Sequence, residues 1–216
     1  MFTGIIEELG TVKKIERNKG NIQLTIDLEY QSILQEELQR RIDESGAKGA
    51  MGILMDPQNG DILAMASLPD FDLNNPNITP LENQKNKVIT DQFEPGSTFK
   101  IVAATAALNT GKVSLNDEFN CEVGKFEFDG WTISDHEKFG VLTFPQIIAN
   151  SSNVGVIKIA QIIGKEPLYR LSRNYGFGTP TGISFPGESQ GILRQKKDWS
   201  KTVSYTHLTL PTILLV

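Results

Sequence analysis

Glu94-Pro-Gly-Ser-Thr-Phe-Lys100, running on into Ile101-Val-Ala-Ala-Thr-Ala-Ala-Leu108, is the stretch on which this chain turns. Residues 101–108 carry no charge, which predicts a helix buried nearly all round. Ser97 falls in its first turn and Lys100 three residues later, on the same helix face. The lysine amine is thereby held close to the serine hydroxyl. At the mouth of a buried helix, near its positive end, an ammonium is disfavoured by desolvation and by the helix dipole. A lysine so placed gives up its proton near neutral pH and can act as general base to a serine nucleophile.

The bare Ser-x-x-Lys spacing is weak, since about one match is expected by chance in a chain of this size. Ser45-Gly-Ala-Lys48 is a second match, and it reads as a helix C-terminus with a solvated lysine. For Ser97 and Lys100 the competing reading is a capping serine beside a snorkelling lysine. Ser151-Ser-Asn153 lies between two apolar helical segments, where a short loop would turn its side chains into a cleft. A hydroxyl and a carboxamide there could relay a proton and hold a substrate amide. Ser152 or Asn153 as a plain cap for the helix starting at Val154 is the simpler reading, and both can hold together.

The rest of the chain supplies the frame. With 216 residues, 39% hydrophobic and a net charge of −5, it has the composition of a soluble globular domain with a sizeable core. No basic patch points to nucleic acid. A lone Cys121 excludes an internal disulfide framework, and His136 and His207 without clustered acids suggest neither a metal nor another cofactor. The apolar run Leu208–Val216 is short and proline-broken, and Met1 opens no signal-peptide pattern, so no membrane segment is expected. Alternation over Asn21–Asp27 predicts a strand. The spacing of Tyr30, Ile33, Leu34, Leu38 and Ile42 predicts an amphipathic helix ending near Gly46. Ala50–Met55 and Ile62–Ser67, joined through Asn59-Gly60, predict a hairpin apolar on both faces, inside a sheet covered by helices. Residues 69–80 read as a loop, and 119–133 as short strands and turns. Thr143 reads as the cap of a helix over 144–149. A further helix spans 154–163, and from Leu168 the chain turns glycine- and proline-rich.

Taken in order, several motifs resemble the transpeptidase domain of class B penicillin-binding proteins, from about Asn18 to Thr202. They are Leu24-Thr-Ile-Asp27, Met55-Asp-Pro-Gln-Asn-Gly60, Ile62-Leu-Ala-Met-Ala-Ser67, Pro69-Asp-Phe-Asp72, Glu94-Pro-Gly-Ser-Thr-Phe-Lys100, Ser151-Ser-Asn-Val-Gly155, Phe177-Gly178, Thr181-Gly182 and Pro186-Gly-Glu188. The resemblance implies an α+β, β-lactamase/transpeptidase-like fold: an antiparallel sheet with helices on both faces, here incomplete at its C-terminal side. It implies peptidoglycan D,D-transpeptidase chemistry, with Ser97 as nucleophile and Lys100 as its base. Ser151 would pass a proton to the leaving D-alanine, and Asn153 would contact Lys100 and the substrate amide. The implied partners are a peptidoglycan stem peptide ending in D-Ala-D-Ala and β-lactam antibiotics. The parent protein would be anchored in the inner membrane, its catalytic domain outside the cytoplasm, working with the cell-wall synthesis or division machinery.

The chain departs from that pattern in places. The family's Lys-Ser/Thr-Gly motif is missing, and Lys201-Thr-Val203 lacks the glycine and comes too early. Residues 203–216 read as an unrelated or artefactual tail. Met1-Phe-Thr-Gly-Ile-Ile-Glu-Glu-Leu-Gly-Thr-Val12 resembles the start of riboflavin synthase. The expected partition is a foreign segment over 1–17, a partial transpeptidase domain over 18–202, and the tail. Such a chain is expected to show little or no transpeptidase activity alone. Two other readings compete. One is a class D serine β-lactamase, which shares Ser-Thr-Phe-Lys but usually carries Ser-x-Val where this chain has Ser151-Ser-Asn153. The other is a non-catalytic partial or chimeric protein.

Overall fold

The structure, a computed structural model, describes residues 26–72, 74–183 and 185–199. The riboflavin-synthase-like start, most of the strand expected over Asn21–Asp27, the Lys201-Thr-Val203 triplet and the expected tail lie outside the described residues. The described residues divide into two compact units, one formed by those from 26 to 91 with those from 183 to 188, the other by those from 92 to 182 with those from 189 to 199.

In the first unit Asp27 starts helix α1 (Leu28–Ser45), its carboxylate accepting from the amides of Glu29 at 3.0 Å and Tyr30 at 3.3 Å. Gly46 ends the helix at φ 68°, and Lys48 is exposed, so the second Ser-x-x-Lys match is a helix terminus as read. Strands β1 (Ala50–Met55) and β2 (Ile62–Leu68) pair antiparallel, with Gly52 opposite Ala66 and Ile53 opposite Met65. A Cβ on Gly52 would sit 3.0 Å from Leu34, so α1 lies close against that face. On the other face Met65 packs with Ile89 of the one-turn helix α2 (Lys87–Thr90) and with Phe185.

The two strands differ in burial. β2 buries Ala64, Met65, Ala66 and Leu68, and its outer edge is closed by the chain entering α1. Asp27 N donates to Leu63 O at 2.8 Å, and the Gln31 amide both accepts from Met65 N and donates to Met65 O, each at 2.9 Å. β1 leaves Met51, Ile53, Leu54 and Met55 exposed, against the expectation of two strands apolar and covered on both faces. The reason is spatial. Among the described residues β1 has β2 as its single strand neighbour, and nothing pairs with its outer edge.

The second unit is built around helix α3 (Lys100–Thr110), which follows directly on a 3-10 turn over Gly96–Phe99 and ends at Gly111. Val102, Ala103, Ala106 and Ala107 are buried, whereas Ile101 and Leu108 are 58% and 42% exposed. The expectation of burial all round is therefore corrected: α3 has one buried face. That face is made of small residues, which lets α5 (Asn153–Ile163) and α6 (Lys165–Asn174) approach closely. Helix α6 was not expected. Pro167 stands in its first turn, where a missing N–H costs nothing, and it buries Leu168 and Ser172.

Four short strands complete the unit, β3 (Glu118–Asn120) pairing with β6 (Val141–Thr143) and β4 (Lys125–Phe128) with β5 (Trp131–Ser134). All pairs are antiparallel, as expected of this α+β chain. The described residues form three two-stranded sheets. Helix α4 (Phe144–Ala149) begins where expected, Gln146 Oε1 accepting from Thr143 N at 2.9 Å. It crosses α5 so tightly that a Cβ on Gly155 would lie 2.6 Å from Ile147. No helix among the described residues is long and apolar enough to cross a membrane.

Candidate active site

The turn before α3 sorts its side chains by depth. Gly96, Ser97 and Thr98 are exposed, while Phe99 and Lys100 are buried. Phe99 is anchored edge-on against Phe177, ring centroids 5.2 Å apart, which ties the turn to the Phe177-Gly178 segment. Ser97 is thus presented to solvent at the start of the helical stretch, and Lys100, three residues on, points inward with 3% of its surface exposed.

A buried ammonium needs acceptors for its three N–H groups, and Lys100 has three. Its Nζ donates to Ser151 O at 2.5 Å, to Ser151 Oγ at 2.9 Å and to Asn153 Oδ1 at 2.6 Å. One residue supplies two of them because Ser151 takes a left-handed conformation, φ 51°, that turns its carbonyl and its hydroxyl to the same side. Such a conformation costs a non-glycine residue about 1–3 kcal/mol and persists where its surroundings over-determine it. Here Ser151 N donates to Ile148 O at 3.1 Å and Ser152 N to Ile147 O at 2.9 Å, closing the end of α4. The Asn153 carboxamide is fixed at both ends. Its oxygen meets Lys100, and its Nδ2 donates to Ser134 O at 2.8 Å, leaving a second N–H for another acceptor.

Lys100, Ser151 and Asn153 are therefore brought into direct contact. Ser97 stands one turn from Lys100, but is not among the hydrogen-bond partners of its amine. The middle residue of the triplet has the other task weighed for it. Ser152 Oγ accepts from Gly155 N at 2.9 Å and caps α5. The cap reading of the triplet thus falls to Ser152, while Ser151 and Asn153 contact Lys100.

Sequence reasoning missed Asp135. Its carboxylate accepts from Ser152 Oγ at 2.7 Å, from Val154 N at 3.0 Å and from Asn153 N. Nothing local announces this, since Asp135 reaches the triplet by tertiary packing across 17 residues or more of chain. It also bears on the lysine. Burial pulls the Lys100 pKa down from 10.5 to about 8, and the negative charge of Asp135 works against that fall. Burial likewise pushes the Cys121 thiol up, so it is inert as a nucleophile at neutral pH. Among the described residues no group of His, Cys, Asp and Glu is disposed to hold a metal ion. What remains is an amine that is partly neutral near pH 8, touching one hydroxyl and one turn from another that faces solvent. That is equipment for acyl transfer through a serine ester.

Comparison with known proteins points the same way. The sequence profile of the penicillin binding protein transpeptidase domain matches residues 50–214, a range that extends past Thr202. The probable peptidoglycan D,D-transpeptidase PbpC of Pseudomonas aeruginosa is 36% identical over 189 residues, covering 88% of this chain and 34% of that protein. Stage V sporulation protein D of Bacillus subtilis is 35% identical, covering 80% of this chain and 27% of the relative. Peptidoglycan D,D-transpeptidase FtsI of Escherichia coli is 34% identical, with 83% and 30% covered. The transpeptidase domain of Burkholderia pseudomallei penicillin-binding protein 3, solved in its apo form, superposes with a TM-score of 0.75 at 30% identity. The likeness covers 86% of this chain and 52% of that one. The chain spans about a third of the length of the curated relatives it matches.

Proposed function

The chain belongs to the penicillin-binding protein transpeptidase family, and from that premise we propose that Ser97, Lys100, Ser151 and Asn153 are the acylation machinery of a peptidoglycan D,D-transpeptidase. The observation that carries this reading is the buried Lys100 amine. It is bonded to Ser151 and Asn153 and stands one turn from the exposed Ser97.

The chemistry follows from where the protons go. With Lys100 neutral, Ser97 Oγ attacks the carbonyl of the penultimate D-alanine of a stem peptide and its proton passes to Lys100 Nζ. The Ser97 amide lies at the start of a helical stretch, where N–H groups have no helical partner. It serves as one donor to the oxyanion that develops. Collapse of the tetrahedral intermediate breaks the C–N bond, and Ser151 Oγ relays the proton from Lys100 to the departing D-alanine amine. Asn153 keeps Lys100 aimed and offers its free N–H to a substrate carbonyl. The ester on Ser97 is then attacked by the amine of a neighbouring stem peptide, which forms the cross-link and returns the proton to Ser97. A β-lactam enters the same path, but the amine released on ring opening stays tethered, so the ester persists.

In the parent protein this activity belongs outside the cytoplasm at the inner membrane, among the cell-wall synthesis or division machinery. Residues 1–216 expressed alone carry no Lys-Thr/Ser-Gly triplet to supply a second oxyanion donor. Absence of one such donor costs about 10²–10³ in rate, so they acylate slowly and show little or no transpeptidation. The test is incubation with a fluorescent penicillin, followed by denaturing electrophoresis of the wild-type chain and Ser97→Ala. A band that forms in the wild type alone and persists for hours supports the reading. A band equally strong in Ser97→Ala refutes it, and rapid turnover of the adduct points to a β-lactamase instead.

A further inference from the structure

The groups that hold Ser151 and Asn153 in place converge on one carboxylate outside the four proposed residues. We propose that Asp135 is a positioning residue of the acylation site, gathering Ser152 and the first amides of α5 and so holding Ser151 and Asn153 against the Lys100 amine. The proposal rests on the acylation reading of Ser97 and Lys100.

Four features carry it. Both carboxylate oxygens are engaged: one accepts from the amides of Asn153 and Val154, the other from Ser152 Oγ. Asp135 is itself held, its N donating to Gly124 O at 2.9 Å at the start of β4. The preceding residue, Ser134, accepts from Asn153 Nδ2, so the end of β5 grips Asn153 twice, once by backbone and once by side chain. Finally, Ser151 sits in a strained conformation immediately before these contacts, the kind that needs external restraint. Releasing the grip would let Ser151 relax, and two of the three acceptors of Lys100 would swing away together.

A neutral cap would have sufficed for α5, since Ser152 already accepts from Gly155 N. The charge has a second consequence, because it opposes the effect of burial on Lys100. Several titratable groups surround Asp135, and Lys125, His136, Glu137 and Lys138 line one cavity with it. Lys100 faces it from α3 and Cys121 from the turn after β3. Further out, Glu122 and Lys158 of α5 pair with each other at 2.6 Å. The neighbouring His136 turns its ring onto Phe139.

The experiment compares the full chain with Asp135→Asn and Asp135→Ala. Asp135→Asn keeps an acceptor for the two amides and an amide group for Ser152 but removes the charge; Asp135→Ala removes both. Two readouts are taken after thermal melts confirm folding: the titration midpoint of the Lys100 amine, by NMR of side-chain-labelled lysine, and the pH profile of benzylpenicillin acylation by mass spectrometry. In Asp135→Asn the Lys100 midpoint falls by about one unit, as for loss of a nearby opposite charge, and the rising limb of the acylation profile moves down with it. In Asp135→Ala acylation drops about 10²-fold at every pH, the loss typical of slight misplacement of reacting groups. If both variants fold and keep the wild-type midpoint and profile, Asp135 is a structural cap alone and the proposal is overturned. If Ser97 is not acylated in any of the proteins, the acylation reading fails, while the NMR midpoints still decide whether Asp135 governs Lys100. Should Asp135→Ala fail to fold, Asp135→Asn decides the matter.

Discussion

Lys100 meets opposing requirements. The resting structure satisfies an ammonium with three acceptors at 2.5–2.9 Å, yet in the proposed mechanism the base for Ser97 has to be the free amine. Burial brings the two states within reach by lowering its pKa to about 8. Acylation of Ser97 by a penicillin is therefore expected to rise with pH, reach half its maximum near pH 8 and flatten above it. Time courses at fixed pH measure this, and a rate constant between pH 6 and 10 would contradict it. The same shift has a stability cost. The unfolded lysine titrates at 10.5 and the folded one at about 8. Below pH 8 both states are charged and the folded state bears the whole penalty of burying the charge. As pH rises from 8 to 10.5 the folded state is already neutral, and the penalty is removed. Relative to Lys100→Met, which cannot titrate there, the wild-type chain should gain about 3 kcal/mol across that interval. Denaturant unfolding of both proteins at a series of pH values checks the sign and the size. Lys100 was legible in the sequence because an uncharged run follows it directly. Asp135 was not, because its partners come to it only through folding, from residues 152–154.

Helices α4 and α5 show how the elements place these side chains. The Ser151–Asn153 turn is as short as it is because α5 lies against α4 at Gly155, where any Cβ would meet Ile147. Gly155→Ala is accordingly expected to lose about 1–3 kcal/mol of stability by overpacking, read as a lower denaturation midpoint at unchanged slope. An unchanged midpoint would show that the helices can separate without cost. Elements whose signals lie within their own residues were readable: α1 from its periodicity, the β1–β2 hairpin from Asn59-Gly60, α4 from Thr143, and α5 up to Gly164. Features set by neighbours in space were misread. The exposure of Ile101 and of β1 depends on what lies alongside, which an apolar run does not record. Helix α6 was lost to a different error, that of reading the chain from Leu168 onward as glycine- and proline-rich. Pro167 in fact stands in the first turn, and the glycines lie beyond the helix end.

Taken whole, the chain carries a Ser-x-x-Lys turn and a Ser-Ser-Asn triplet, and a hairpin whose β1 edge has no strand partner among the described residues. Met51, Ile53, Leu54 and Met55 along β1 form an apolar strand edge of the kind that templates association between copies. Ile53→Lys should slow aggregation of residues 1–216, seen as a later rise in light scattering at the same concentration, and equal onset in both proteins would count against this. The chain covers about a third of the length of its curated relatives. The central claim is that Ser97 is the acylated serine, and peptide mapping by mass spectrometry tests it most directly. Residues 1–216 incubated with excess benzylpenicillin at pH 8 should gain one penicilloyl group on the peptide containing Ser97. The group should form slowly, persist for hours and be absent in Ser97→Ala. No adduct after prolonged exposure of the folded chain, or an adduct that survives Ser97→Ala, would contradict the account.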